Sequence, residues 1–485
     1  MPRIAILGGG IAGLAAAYEL EGHRKAGKPL DWYLYEASDR FGGTISTTRL
    51  GTPEGEYILE DGPDGWVTEK PWARELAGEL GLSRDIIPCN EADKKTYILL
   101  NEQLVPLPDR MRLMVPENLS TLTESPLFTA EAQRAYAAEL ARSDELRRKI
   151  PAEDESVAAF VRRHFGHEVL TKVAAPLLSG VFGGDVERLS VRAVMPAFVQ
   201  MEREHGSLIA AVQARARARG TSEPQPTFTS FRRGMGQLTE ALLSALPPDR
   251  LQSGHRAAAL RRSPQGGWAI RFTGSNAHAC AIGFVPFDIV MLATPGDATR
   301  DLLAPVDREA AALLPEDASS AVLVTFCWPS EQAVHVHIPC GFGFLVPPPG
   351  SSEGAQLLAA TFAHQKYPGR APAGSKVIRT FFGGSSAEQL SAQPDATVRE
   401  AALAQLRAIM GPLPEPDPAL TTVRRWPRSL PQYEVGHLDR MGQLQQRISA
   451  LGNLHLLGNS YHGVGVPDLI RDARAAARTL LASLN

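Results

Sequence analysis

Close to its start the chain runs from an apolar stretch, RIAIL, through Gly8, Gly10 and Gly13 into a helix-forming segment, IAGLAAAYEL. Nothing else in the 485 residues restricts the fold as much as this G-x-G-x-x-G turn. Gly8 turns the chain, Gly10 lets backbone approach a pyrophosphate, and Gly13 lets the helix pack on the strand. The helix N-terminus then presents unpaired N–H groups to phosphate. DWYLYEA supplies a second strand ending at Glu36, 23 residues beyond Gly13, where a carboxylate accepts hydrogen bonds from a ribose diol. Residues 3–36 are therefore expected to form a βαβ unit that binds a dinucleotide.

After Glu36 the chain reads EASDRFGGTIST. R-x-G-G behind the ribose carboxylate resembles the extended signature of two-domain FAD oxidases rather than NAD dehydrogenases. Arg40 is expected to reach the pyrophosphate, and Gly42 and Gly43 to admit backbone close to the flavin. LEDGPDGWV is a compact turn whose Gly62 and Gly65 let backbone run beside an isoalloxazine ring. A turn of the same grammar as the first lies 450 residues on, in LHLLGNSYHGVGVPDLI, with glycines at 458, 463 and 465 and Pro467 suited to the first helical position. The two turns are expected to hold opposite ends of one cofactor. The first takes the ADP portion, and the last aims a helix N-terminus at the flavin edge that becomes negative on reduction.

Fifty basic against 53 acidic residues leave a net charge of -3, which offers no global field for nucleic acid. Cys89, Cys280, Cys327 and Cys340 lack C-x-x-C spacing, so reduced thiols are expected rather than disulfides or zinc. His335 and His337 would share one face of a strand, yet no third ligand stands at a recognisable spacing, and no metal is expected. The first strand starts at Arg3 or Ile4, leaving no room for a leader. No apolar run reaches the ~18 residues of a spanning helix. A cytoplasmic protein, at most attached to the inner face of a membrane, is the expectation.

AEAQRAYAAELARSDELRRK, DESVAAFVRRHFG and VRAVMPAFVQMERE read as helices, so residues 110–204 form a helical insertion. Alternation returns at GGWAIRF and DIVMLATP. Beyond residue 300, strands such as AVLVTFCW and KVIRTFF mix with the helical DATVREAALAQLRAIM; PPPGSSEG and GPLPEPDP are connecting loops.

The tail GNSYHGVGVPD, the middle segments PLLSGVFGGDVERLSVRAVMP and FRRGMGQL, and the late RWPRSLPQYEVGH together resemble the oxygen-dependent porphyrinogen oxidases, FAD enzymes that act on protoporphyrinogen or, in a bacterial branch, coproporphyrinogen III. The resemblance covers nearly the whole chain. It implies an α/β architecture: a Rossmann-type FAD-binding domain in three parts (1–88, 205–300, 453–485), an α+β substrate domain in two (89–109, 301–452), and the helical insertion 110–204. It places Gly8, Gly9, Gly10, Ile11, Ala12, Gly13, Glu36, Ala37, Arg40 and Thr44 on FAD positions, with Gly62, Pro63, Asp64, Gly65, Trp426, Val464, Gly465 and Val466. Ala257 stands where the family usually has a valine whose backbone meets the adenine. Leu469 replaces a frequent cysteine. The helical insertion would carry one wall of the substrate pocket and a peripheral membrane surface, and the family also implies a homodimer.

Aromatising a porphyrinogen removes six electrons, two at a time, with O2 reoxidising the flavin to give peroxide. Positioning an apolar macrocycle against the flavin can supply much of the rate, so the flavin is the reactive group and no catalytic side chain is expected. The pocket needs apolar walls and a cation for the propionates. Phe342 and Phe344 in GFGFLVPPPG are candidates for a wall, since alternate strand positions face one side. Lys70 matches a basic position of the bacterial branch and is the candidate cation. A flavin amine oxidase and a non-catalytic porphyrin-binding flavoprotein are the competing readings.

Overall fold

The computed structural model describes residues 1–219, 225–274, 283–347, 355–418 and 420–484. Cys280 and residues 348–354 of the proline-rich connection lie outside them. The RIAIL run forms the strand Arg3–Leu7 at the centre of a five-stranded sheet, in the order Leu251–Gln252, Asp31–Tyr35, Arg3–Leu7, Ile289–Leu292, Leu454–Leu456. Every pairing in it is parallel. Period-2 alternation divides the first strand between two layers. Ile4 and Ile6 pack against the helices Ile11–Lys25 and Val466–Ser483. Ala5 and Leu7 face Trp268, Ile270 and Phe272 of an antiparallel three-stranded layer on the other side.

Small residues let the first and last helices approach closely. Ala12, Ala15, Ala16 and Ala17 of one join Ile470, Ala473 and Ala477 of the other in a single apolar cluster. At its edge, Arg474 bridges Glu19 and Glu79, the latter through two bonds of 2.8 Å. Both helices follow strands of one parallel sheet, so the glycine-rich turns preceding them leave the same, carboxyl, edge. That edge is where open α/β sheets bind ligands.

A seven-stranded sheet runs in the order Leu420–Pro431, Ala318–Trp328, Lys376–Gly383, Ala359–Phe362, Gly343–Leu345, Thr96–Leu100, Gln103–Pro106. It is antiparallel except where Gly343–Leu345 meets Thr96–Leu100. His335 and His337 lie after the short helix Ser330–Ala333, outside any strand, so the shared face expected of them is not formed. Among the described residues no group of three His, Cys, Asp or Glu side chains could hold a metal.

The helical region is more broken than its sequence suggests. Arg142 separates Ala130–Ala141 from Ser143–Arg148; Met195 separates Val191–Val194 from Pro196–His205, a break at Pro196, which has no N–H to continue a helix but suits its first turn. Thr129 and Ser156 cap their helices by accepting from Ala132 N at 3.3 Å and Ala159 N at 3.1 Å. A buried network locks the unit: His164 Nδ1 meets Glu139 Oε1 at 2.9 Å and its Nε2 meets Glu202 Oε1 at 3.1 Å. Burial alone would lower the His164 pKa, but the two carboxylates raise it above the usual value. Glu139 also accepts from Ser207 Oγ at 2.6 Å and Leu208 N at 2.7 Å, which draws the helix Leu208–Arg219 into the same cluster. No described helix is long and apolar enough to cross a membrane.

Candidate active site

The first turn is closed by contacts that leave no room for side chains. A Cβ on Gly13 would lie 2.0 Å from Gly8 O, and one on Gly8 would lie 2.3 Å from Ala293 O. Gly10 differs, because a Cβ there would meet only Gly43 Cα at 3.9 Å. No side chain caps the helix Ile11–Lys25, and its first turn holds no acidic residue. A cradle at a helix N-terminus with no side-chain cap and no acidic residue in its first turn is therefore present at Gly10, and a pyrophosphate fits it. Gly42 N donates to Gly9 O at 2.8 Å, which draws the R-x-G-G loop over this cradle.

Glu36 lies beside the cradle. Its Oε2 accepts from Gly9 N at 2.7 Å, and its Oε1 accepts from Ser38 N and Ser38 Oγ, both at 2.8 Å. Ala37 is exposed next to it. His255 N donates to Glu36 O at 2.8 Å, so Ala257, two residues on in the strand Arg256–Arg262, flanks the same corner. Arg40 spends its guanidinium on its own loop, donating to Phe41 O and Ile45 O at 3.2 Å and to Gly43 O. It braces the glycine turn from outside.

The turn Gly62 to Gly65 is pinned by a cluster that the sequence does not announce. Arg379 Nη2 donates to Gly62 O at 2.6 Å, Trp426 Nε1 donates to Asp61 O at 2.6 Å, and Lys366 Nζ donates to both oxygens of Asp64 at 2.9 Å. Arg379 also lies 3.2 Å from Asp64. Burial opposes the charge of Asp64, yet Lys366 and then Arg379 hold its carboxyl below the usual range. Thr44 backs the turn, since a Cβ on Gly62 would strike Thr44 O at 1.9 Å. The available signal was an arginine inside the apolar strand KVIRTFFG; a charge there is paired or costly.

The last turn is held by side chains just beyond the strand Leu420–Pro431. Tyr433 Oη donates to Asn459 O at 2.5 Å and accepts from Gly463 N at 2.9 Å. The Tyr433 ring stacks on His437 with centroids 4.0 Å apart, and His437 Nε2 donates to Tyr461 O at 2.8 Å. Val464 and Gly465 are half-buried, and Val466 opens the last helix, which has no side-chain cap. Lys70 reaches across to this helix, its Nζ 2.5 Å from Asp468 Oδ2. The expected cation is thus already shared with a protein carboxylate.

The two phenylalanines part company. Phe342 precedes the strand Gly343–Leu345 and packs with Ile87, Cys89 and Tyr367, the last of which abuts Gly65. Phe344 is 1% exposed in the core of the seven-stranded sheet, its ring 6.1 Å from Phe362. The expectation of one shared wall is corrected: the bend at Gly341 and Gly343, both at positive φ, sends the rings into different clusters.

Burial pushes the His437 pKa down to about 4, with its bond to Tyr461 O opposing the shift. The unfolded chain takes up this proton near pH 6.5 and the folded chain only near 4, so this contribution is complete above about pH 6.5 and falls away between there and 4. The loss amounts to about 3 kcal/mol. Denaturation of wild type and His437→Phe at pH 4.5 and 7 checks this: the variant should show a shallower fall, and equal slopes would refute it.

A Rossmann-type sheet with two glycine turns at its carboxyl edge, a carboxylate beside the first turn and an uncapped helix fits the class of dinucleotide-binding oxidoreductases. The chain belongs to the flavin containing amine oxidoreductases, whose family model matches residues 11–481. The dinucleotide turn calls for the adenine dinucleotide form of the flavin, FAD. Over 493 residues the chain is 29% identical to a coproporphyrinogen III oxidase of Bacillus subtilis (strain 168), covering 99% of this chain and 98% of the relative. It is 27% identical to protoporphyrinogen oxidase 1 of Arabidopsis thaliana chloroplasts, covering 97% and 86%. A crystal structure described as a candidate protoporphyrinogen oxidase of Exiguobacterium sp. 255-15 superposes with a TM-score of 0.83 at 27% identity, covering 99% and 98%.

Proposed function

We propose that this protein is an FAD-dependent oxidase that aromatises a porphyrinogen to the porphyrin. The observation that carries the reading is the end-to-end match to relatives named for that reaction, with 99% of this chain aligned. When bound, FAD supplies a two-electron acceptor, so one porphyrinogen and three O2 give one porphyrin and three H2O2.

The chain's own part is to bind, orient and exclude water. Gly8 to Gly13 and the first helix hold the pyrophosphate, and Glu36 receives the ribose hydroxyls. Ala257 would lie against the adenine. Arg40 keeps the loop over the cradle closed, and Thr44 backs the Gly62 to Gly65 turn. Gly62, Pro63, Asp64 and Gly65, in a turn pinned by Arg379 and Trp426, would run beside the flavin, and Val464 to Val466 would turn a helix N-terminus toward it. Phe342 offers an apolar wall. Lys70 divides its charge between Asp468 and a substrate propionate. Contact of the helical unit with a membrane and assembly as a homodimer belong to the same reading; vesicle flotation and light scattering test them.

Aerobic assays of the yellow protein on protoporphyrinogen IX and coproporphyrinogen III, with autoxidation subtracted, test the main reading. About three peroxides per porphyrin are expected. Full FAD occupancy with no acceleration of either substrate would refute it.

A further inference from the structure

The ion pair between Lys70 and Asp468 sits on the first turn of the last helix. Asp468 lies three residues beyond Gly465, which precedes that helix. Its carboxylate folds back over the glycine turn: a Cβ on Gly465 would lie 2.9 Å from Asp468 Oδ2, and one on Gly463 would lie 3.2 Å from it. A carboxylate in a first turn gains from the positive end of the helix dipole, and it offsets that end for any other group the helix faces. Tyr433, whose Oη accepts from Gly463 N, already registers this charge. Burial raises the Tyr433 pKa, the bond from Gly463 N lowers it, and Asp468 adds to the rise.

Lys70 is the nearer of two cations that meet this carboxylate. Lys70 N donates to Val67 O at 3.2 Å, making a tight bend after the Gly62 to Gly65 turn, and from that bend Nζ comes to 2.5 Å from Asp468 Oδ2. Its neighbour Glu69 is engaged elsewhere, by Arg112 Nη2 at 3.3 Å. Arg471 lies 3.4 Å from Asp468 Oδ1, but it also donates to Asp472 Oδ1 at 2.6 Å and lies over the Trp72 ring, 4.6 Å from its centroid. The two members of the pair differ in exposure, 44% for the Lys70 side chain and 7% for that of Asp468. The negative charge is therefore fixed inside the protein, where its field carries far, and the cation reaches it from the solvent side.

We propose that Lys70, acting through Asp468, sets the reduction potential of the bound flavin. The inference rests on the reading that Val464 to Val466 turn the last helix toward the flavin. A flavin gains negative charge on reduction, and an uncompensated carboxylate in that first turn opposes the gain. With Lys70 beside it, Asp468 is neutralised and the helix keeps its positive end for the cofactor. In this role Lys70 works as a positioning residue, since its effect reaches the flavin through the carboxylate it neutralises.

The test measures the two-electron reduction potential of the FAD-loaded full chain by equilibration with a reference dye, with no porphyrinogen present. FAD affinity and the Tm of each apoprotein are taken alongside. Lys70→Met should lower the equilibrium constant for reduction about tenfold, a fall of about 30 mV, because Asp468 is left charged. Asp468→Asn should move it about tenfold the other way, and the double variant should return close to wild type. A pair that only ties the loop to the helix would instead cost FAD affinity and Tm in both single variants, with no rise in potential. Lys70→Arg should keep the potential and Lys70→Glu should lower it beyond Lys70→Met, so this exposed position decides the matter even where Asp468→Asn folds poorly. Unchanged potentials in the Lys70 series, or shifts of one sign in both single variants, overturn the proposal. Val464→Asp puts a carboxylate on the last turn itself. If it changes neither FAD affinity nor potential, the last turn does not face the flavin and that reading falls, taking the inference with it. If it changes them while the Lys70 series does not, only the inference falls.

Discussion

Gly10→Ala is expected to yield a folded protein that purifies nearly colourless. Gly10 sits at φ -73° and ψ -178°, a conformation alanine adopts without strain, and a Cβ there would meet only Gly43 Cα at 3.9 Å. The protein therefore tolerates the methyl group, while a pyrophosphate lying in the cradle does not. Overpacking of that kind costs about 1 to 3 kcal/mol, so FAD affinity should fall about ten- to a hundredfold. Gly13→Ala supplies the contrast. Its Cβ would lie 2.0 Å from Gly8 O, so the turn itself must move, and both flavin binding and the stability of the apoprotein should drop. Flavin content from visible absorbance, an FAD titration and the melting temperature of each apoprotein separate the two cases. Wild-type affinity in Gly10→Ala would mean that the pyrophosphate does not occupy this cradle.

Arg379→Leu is expected to destabilise the apoprotein by about 3 to 5 kcal/mol, the usual cost of removing one partner from a buried ionic cluster. The Arg379 side chain is 2% exposed, lies 3.2 Å from Asp64 and donates to Gly62 O at 2.6 Å. Without it, the Gly62 carbonyl loses its donor and Asp64 keeps Lys366 as its direct partner, with Arg370 acting from farther away. Arg379→Lys should fall between the two, since an ammonium can reach Asp64 but cannot span carboxylate and carbonyl as a planar fork does. Urea denaturation of the apoproteins gives the energies, and FAD titration should show weakened binding, because the pinned turn is the one proposed to run beside the ring. A loss under about 1 kcal/mol would mean that Arg379 is an ordinary buried charge and not the brace of the turn.

The parts of the site that could be read from the chain are those where function is written into local backbone. The strand, tight turn and helix around Gly8, Gly10 and Gly13, with Glu36 beside them, were legible because such a turn needs particular residues at fixed spacing, directly after a strand. Phe344 was misread because the alternation rule holds within a regular strand, whereas Phe342 precedes one and the glycines at 341 and 343, on either side of it, bend the chain. The broken helices of residues 130–149 and 191–204 were blurred for a related reason: periodicity records which face is apolar and is nearly blind to a one-residue interruption.

The contacts that gather the site escaped because their partners stand far apart in the chain. Lys70 with Asp468, Arg379 with Gly62, Trp426 with Asp61 and Arg112 with Glu69 are each joined only once the sheets are assembled. By itself the sequence determined the dinucleotide turn, the βαβ start and the existence of a matching turn near the end, since each depends on residues within a few positions of one another. Tertiary structure alone decided that both turns open on one edge, that Lys70 already has a carboxylate partner, and which buried cations pin the Gly62 to Gly65 turn. Parallel pairing brought strands from opposite ends of the chain side by side, and no local preference encodes which distant charge a buried one will meet.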